Sequence, residues 1–74
     1  MNISHIHYAV EVAHYGSFNK AAANLFVSQP SLSHAIVQLE QELGVPLFEK
    51  NGRNVELTQF GEVFLKQVRQ SLEI

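Results

Sequence analysis

The sequence predicts a mainly α-helical domain with three helices, a two-stranded hairpin and a long last helix. Apolar residues recur at helical spacing in four segments, small residues or proline separate the segments, and an Asn-Gly pair follows the third. With 74 residues, no cysteine and 46% hydrophobic residues, the chain fits one small globular domain without disulfides.

The first two helices are short and are separated by a glycine. Residues 3–14 form the first, and Gly16 ends it. Ser17 is a favourable N-cap for a second helix over residues 18–26, whose three consecutive alanines let another helix approach closely. The apolar stripe predicted for the first helix consists of Ile3, Ile6, Val10 and Ala13.

The third helix is predicted over residues 28–43. Ser28 is its N-cap, and Pro30 lies in the first turn, where a missing N–H costs nothing. Gly44 follows the last helical residue and ends the helix. Since only Val27 and Ser28 separate the second and third helices, the pair is typical of a helix-turn-helix.

A hairpin and a last helix complete the chain. Asn51 and Gly52 both tolerate positive φ, and they predict a two-residue turn that places Phe48 opposite Val55. Thr58 then caps a helix that runs to the end of the chain. A hairpin after a helix-turn-helix forms a wing, so the fold class is a winged helix-turn-helix.

The third helix has one apolar side and one uncharged polar side. Its buried stripe is predicted to be Leu32, Ile36, Leu39 and Leu43. The opposite side carries Pro30, Ser33, His34, Val37, Gln38 and Gln41. Such a surface suits base edges in a major groove, where glutamine pairs with adenine and apolar atoms of Pro30 or Val37 meet a thymine methyl.

One long stretch, GSFNKAAANLFVSQPSLSHAIVQLEQELGVPLFEKNGRNVELTQFGE, resembles the N-terminal DNA-binding domain of LysR-type transcriptional regulators. The pattern of that family runs G-S-F-x-x-A-A-x-x-L-x-x-S-Q-P-x-L-S-x-x-I-x-x-L-E-x-x-L-G-x-x-L-F-x-R, followed by a wing and L-T-x-x-G. The chain matches nearly every fixed position over about its whole length, and the matches span four elements with the correct spacing.

The resemblance implies a regulator that binds double-stranded DNA, with the third helix in the major groove and the wing on the backbone or in the minor groove. Carried over by position, it makes four residues candidate base or near-base contacts: Gln29, Pro30, Ser33 and His34. Ser17, Lys20 and Ser31 become candidate phosphate contacts, and Lys50 and Arg53 fall on the wing. The cap Ser28 and the exposed Val37 and Gln38 complete the predicted DNA-binding set.

Two positions depart from the family pattern. His34 stands where the family usually has arginine, and imidazole offers guanine one hydrogen bond at most, so guanine readout there loses its usual basis. Lys50 also replaces a typical arginine, which keeps the charge and loses the forked geometry.

The last helix carries more apolar surface than a small domain needs. The surplus predicts a dimer interface formed by Phe64, Leu65, Val68 and Leu72, although the stripe could instead pack fully on its own domain. We therefore divide the chain into a DNA-binding domain, residues 1–58, and a linker and dimerisation helix, residues 59–74. The resemblance further implies a homodimer, possible tetramers of the full-length protein, and a C-terminal effector domain, absent from this chain, that binds a small-molecule inducer.

Charge and composition bear on the remaining function classes. The net charge is −2, yet Lys20, Lys50 and Arg53, three of the five basic residues, fall on the predicted DNA side. No enzyme is expected, because no pocket with a nucleophile and a base is indicated, and the spacing of the N-terminal histidines does not suit a metal site. No span suits a membrane, so a cytoplasmic location is expected. A winged helix that binds a protein partner is the alternative function.

Overall fold

The computed structural model describes residues 1–72, and the side chains of residues 1–71. The elements follow the predicted order and are α1 (Ile3–Tyr15), α2 (Phe18–Leu25), α3 (Gln29–Leu43), β1 (Phe48–Asn51), β2 (Asn54–Leu57) and α4 (Gln59–Leu72). The strands pair antiparallel in a two-stranded sheet. The fold is therefore the winged helix-turn-helix that the sequence predicts.

Side-chain caps fix the starts of three helices where the sequence predicts them. The hydroxyl oxygens of Ser17, Ser28 and Thr58 each accept a hydrogen bond from the backbone N–H three residues on, at 3.2, 3.2 and 3.0 Å. Helix α2 ends one residue earlier than predicted, because Phe26 adopts a left-handed backbone with φ of 59° and serves as its C-cap. The Phe26 side chain is 95% exposed.

The core lies among the helices and the start of the hairpin. It consists of Ala9, Val12, Ala21, Ala22, Leu32, Ile36, Leu39, Leu47 and Leu65. Three members of the predicted α3 stripe are therefore buried, and Leu43 is partly buried against them. The predicted stripe of α1 is wrong at its start, because Ile3 is 82% exposed and the fully buried residues of α1 are Ala9 and Val12.

The hairpin turn lies one residue later than predicted, which shifts each strand partner by two residues. Phe48 lies opposite Leu57, and Val55 lies opposite Lys50. The two turn residues are Gly52 and Arg53, because the positive φ of 65° falls on Gly52, at the first central position of the turn. That placement is typical of a type II′ turn, whereas the prediction placed Asn51 at this position.

Two long-range contacts fix the position of the wing. The Glu40 carboxylate accepts hydrogen bonds from the backbone N–H groups of Leu47, at 2.7 Å, and Phe48, at 3.4 Å. At the other strand, the Val55 N–H donates to the carbonyl oxygen of Gly16 at 3.0 Å. The hairpin is thus attached both to the end of α3 and to the corner between α1 and α2.

The orientation of α4 overturns part of the predicted dimer surface. Leu65 is 1% exposed and belongs to the core, so the prediction that it faces a partner is wrong. The first turn of α4 explains this, because a Cβ at Gly61 would lie 2.2 Å from the carbonyl oxygen of Leu47. That close approach turns the face that holds positions 61 and 65 inward.

The other predicted partner-facing residues of α4 differ in exposure. Phe64 packs partly on the core, Val68 is half-buried, and the side chain of Leu72 lies outside the described residues. The most exposed large apolar side chains of α4 are instead Phe60, at 45%, and Val63, at 57%.

Candidate nucleic-acid interface

The start of α2, the start of α3 and the wing meet around one polar cleft of about 500 Å³. The residues that line it are Ser17, Phe18, Asn19, Gln29, Lys50, Gly52, Arg53, Asn54 and Val55. The fold thus brings together four of the predicted DNA contacts, Ser17, Gln29, Lys50 and Arg53, from three separate elements. Helix N-termini and basic side chains converging on one cleft are suited to bind an anion.

Aromatic packing and the hairpin contact keep the cleft in shape. The rings of Phe18 and Phe48 meet edge to face with their centres 6.0 Å apart, which joins α2 to β1. The hydrogen bond from the Val55 N–H to the Gly16 carbonyl holds β2 beside the cap of α2. The spacing between the wing and the helix-turn-helix is therefore set by the core and not by a mobile linker.

Hydroxyl and amide groups are linked to one another at the start of α3. The Ser28 hydroxyl donates to the Ser31 hydroxyl oxygen at 2.8 Å, and the Gln29 side-chain amide donates to the Ser33 hydroxyl oxygen at 2.7 Å. These bonds orient the side chains and leave the Ser31 and Ser33 O–H groups, and the Gln29 carbonyl with one N–H, to bind a ligand. Ser28, by contrast, uses its hydroxyl within the protein.

The outer face of α3 is open to solvent as predicted. Pro30, His34, Gln38 and Gln41 are exposed, Val37 is 47% exposed, and Ser33 is half-buried. Helix α3 contains no lysine or arginine, and its acidic residues come only in the last four positions. The exposed face along the N-terminal two thirds of α3 is therefore neutral apart from any charge on His34.

The wing has one basic and one acidic face. Strand alternation puts Lys50 and Val55 on one face and the opposed pair Glu49 and Glu56 on the other. Glu56 accepts a hydrogen bond from the Asn51 side-chain amide at 3.2 Å, which holds it on the face away from the cleft. Among the side chains of residues 1–71, neither Lys50 nor Arg53 forms an ion pair, so both remain available to an external anion.

Sequence reasoning missed five residues of the cleft, which are Phe18, Asn19, Gly52, Asn54 and Val55. Asn19 and Asn54 contribute amides, and Phe18 forms part of its apolar wall. The signal that could have found Asn19 is its position in the first turn of a capped helix, where side chains gather around the free N–H groups. The position of Asn54 in the cleft depends on the hairpin turn, which the sequence pattern placed one residue too early.

Within residues 1–72, no three histidine, cysteine or acidic side chains cluster to hold a metal ion. Over the same residues, no helix is long and apolar enough to cross a membrane.

Comparison with known proteins identifies a family over most of the chain. The family model described as a bacterial regulatory helix-turn-helix protein of the lysR family matches residues 3–62. The transcriptional regulator TfdT of Cupriavidus pinatubonensis is 45% identical over all 74 residues, and AlsR of Bacillus subtilis is 46% identical over 72. The chain spans 32% of the length of TfdT and 24% of that of AlsR.

Solved structures give the same result. The CbnR DNA-binding domain, in a crystal structure with DNA, superposes with a TM-score of 0.90 at 40% identity, over 99% of this chain and 84% of that one. The BenM DNA-binding domain, in complex with its benA site 1 DNA, gives 0.91 at 40% identity, over 99% of this chain and 85% of that one.

Proposed function

Because the chain belongs to the LysR family of bacterial helix-turn-helix regulators, we propose that it binds operator DNA sequence-specifically, as the DNA-binding part of a transcriptional regulator. One observation carries the proposal: the capped start of α2, the polar start of α3 and both basic residues of the wing converge on a single cleft. The crystal structures of the CbnR and BenM domains with DNA support this function.

In the proposed complex, α3 enters the major groove and the wing contacts the backbone or the minor groove. Helix α3 presents its polar start and its neutral outer face together, as a base-reading helix must. The wing stands beside that start, so its tip reaches the backbone that borders the groove. A major groove about 12 Å wide admits one helix, which fits a single reading element.

The contacts fall into two classes under this proposal. The first class binds phosphate oxygens and fixes the position of the protein along the duplex, without reading the base sequence. It consists of Ser17, Lys20, Ser31, Lys50 and Arg53. The second class faces the base edges and consists of Gln29, Pro30, Ser33, His34, Val37 and Gln38. The hydroxyl of Ser28 caps α3 in the structure, so its proposed contribution is to position the helix.

We propose that the operator is bound by a dimer in which α4 pairs with a second copy. Phe60 and Val63 are exposed on α4, and an apolar groove of about 560 Å³ runs between α1 and α4. The groove is lined by Ile3, Ile6, His7, Val10, Val68 and Ser71. In a two-fold pairing, each apolar residue contributes to the interface once from each protomer. The same symmetry places two α3 helices on one side of the dimer.

The proposal extends to the signal and the location. The H₂O₂-bound C206S mutant of Corynebacterium glutamicum OxyR is one of the similar solved structures, and this chain covers 22% of it. We propose that a small-molecule inducer, bound to a C-terminal domain, controls a regulator that carries this chain. Binding to operator DNA implies that it acts in the cytoplasm.

A selection from random duplexes tests the function directly. The purified chain is incubated with a pool of duplexes that carry a randomised 25-base-pair core, and the bound fraction is amplified and sequenced. We expect a two-fold symmetric motif to be enriched, with an affinity for it at least about 10³-fold above that for random duplex. Retention of the pool without enrichment of any motif would contradict sequence-specific binding.

A further inference from the structure

The outer row of α3 has an unusual composition for a surface proposed to read bases. Pro30, His34, Val37 and Gln41 recur at helical spacing along the row, and Gln38 lies beside it. At its centre, Val37 exposes 47% of an apolar side chain between polar neighbours. No lysine or arginine lies anywhere on α3.

Each of these features bears on which base pair the row can recognise. Guanine is read mainly by arginine or lysine, through two hydrogen bonds to O6 and N7, and α3 has neither. Adenine is read by the amide of glutamine, and the Gln38 amide forms no hydrogen bond with the side chains of residues 1–71. Thymine differs from the other bases in its C5 methyl group, which prefers an apolar neighbour.

Resting on the proposed function, we propose that the centre of α3 selects A·T base pairs, with a thymine methyl against Val37 and an adjacent adenine bound by Gln38. The side chain of Val37 is the apolar group at the middle of the outer row, with the His34 imidazole on one side and the Gln41 amide on the other. An apolar side chain exposed at such a position is stabilised when it leaves water in the complex. A C·G pair in place of T·A would set the cytosine amino group against the apolar Val37 side chain, and Gln38 would lose its two-bond match to adenine.

The test uses duplexes in which single thymines of the selected half-site are replaced by uracil, which pairs identically and lacks only the methyl group. Affinity is measured by fluorescence anisotropy at one fixed salt concentration. At one position of each half-site, we expect the replacement of thymine by uracil to weaken binding about threefold to fivefold. This is the loss that corresponds to a single buried methyl group. Val37→Ser should reduce that ratio to below about twofold.

Val63 provides the matched control, because it is an exposed valine at 57% on α4. Val63→Ser should leave the thymine-to-uracil ratio unchanged, even if it weakens all binding through the dimer. A second variant, Gln38→Arg, should shift the selected base at its position from adenine to guanine. The ratio and the shift in base are independent of the absolute affinity.

The outcomes separate this inference from the function on which it rests. Enrichment of a motif with G·C pairs at the centre of each half-site, or equal binding of thymine and uracil at every position, overturns the inference and leaves the function standing. Failure to enrich any motif overturns both. A ratio that Val37→Ser leaves unchanged overturns the assignment to Val37.

Discussion

Helices α3 and α4 are similar in length but differ in what they expose. The first eleven residues of α3 carry no lysine, arginine or acidic residue, and its outer face offers amides, hydroxyls and one valine. Helix α4 exposes Glu62, Lys66 and Arg69 beside Phe60 and Val63. A neutral, hydrogen-bonding face such as that of α3 is suited to bind base edges. An apolar strip flanked by charges, such as that of α4, is suited to bind another protein surface.

The two helices also offer matched residues. Val37 and Gln38 on α3 correspond in type and exposure to Val63 and Gln67 on α4. The basic residues Lys66 and Arg69 of α4 correspond in the same way to Lys20 on α2 and Arg53 in the cleft. Each pair compares the same chemical change at the proposed DNA face and away from it.

The largest expected effect separates the inner and outer faces of α4. Leu65→Glu places a charge in the core without a partner, which costs about 3–5 kcal/mol and unfolds a small domain. Val63→Glu, at an exposed position, should leave the monomer folded while weakening self-association. Urea unfolding followed by far-UV circular dichroism, with sedimentation of both variants, measures the difference. A folded Leu65→Glu chain would contradict the assigned orientation of α4.

The next largest expected effect on stability is that of Gly61→Ala. The added Cβ would meet the carbonyl oxygen of Leu47 at 2.2 Å, and a backbone atom cannot move aside as a flexible side chain can. We expect a loss of about 1–3 kcal/mol or more in the free energy of unfolding. Gln67→Ala, on the exposed side of α4, should have little effect. Equal stability of the two variants would show that α4 and the loop before β1 are less closely packed.

Arg53→Gln tests the contribution of the wing to the salt dependence of DNA binding. It should weaken binding to operator and random duplexes alike, and lower the salt slope by about 1 per protomer, since it removes one phosphate contact. Arg69→Gln makes the same chemical change on α4 and should leave the slope unchanged. Anisotropy titrations at several salt concentrations give both slopes. A loss confined to the operator would instead make Arg53 a base-reading residue.

The smallest expected effect concerns the turn between α2 and α3. Phe26 holds a φ of 59° that costs an L-residue about 1–2 kcal/mol, and glycine adopts it freely. After the entropy that glycine loses on folding, Phe26→Gly should raise the free energy of unfolding by about 0.5–1 kcal/mol. Phe26→Ala removes the ring and keeps the left-handed strain, so thermal unfolding of the two variants isolates the backbone contribution. If alanine stabilises as much as glycine, backbone strain is not the cause.

The local features of this fold could be predicted from the sequence, and the long-range ones could not. The caps Ser17, Ser28 and Thr58 act on residues three positions away, so a short pattern reveals them. The burial of Leu65 depends instead on the approach of Gly61 to Leu47, which no helical wheel contains. A wheel gives the width of an apolar face, but not which part of it meets the domain.

The same distinction holds within the candidate site. The exposed row of α3 followed from periodicity, because the buried stripe fixes its opposite side. The position of the wing beside that row depends on the Glu40 contact with Leu47 and Phe48, which joins residues seven and eight positions apart along the chain. The hairpin turn was misplaced by one residue because Asn51 and Gly52 both tolerate a positive φ, and of these two residues only Gly52 has one.

The salt dependence of operator binding distinguishes a basic rim from a neutral reading helix. With Lys20, Lys50 and Arg53 of each protomer on the DNA as proposed, a dimer would neutralise about six phosphates. The logarithm of the binding constant should then fall with the logarithm of salt concentration with a slope near −5. The neutral face of α3 adds nothing to that slope, so the preference for operator over random duplex should persist as salt rises. A slope near zero, or a preference that disappears at the same rate as the affinity, would contradict the division between a neutral reading helix and a basic rim.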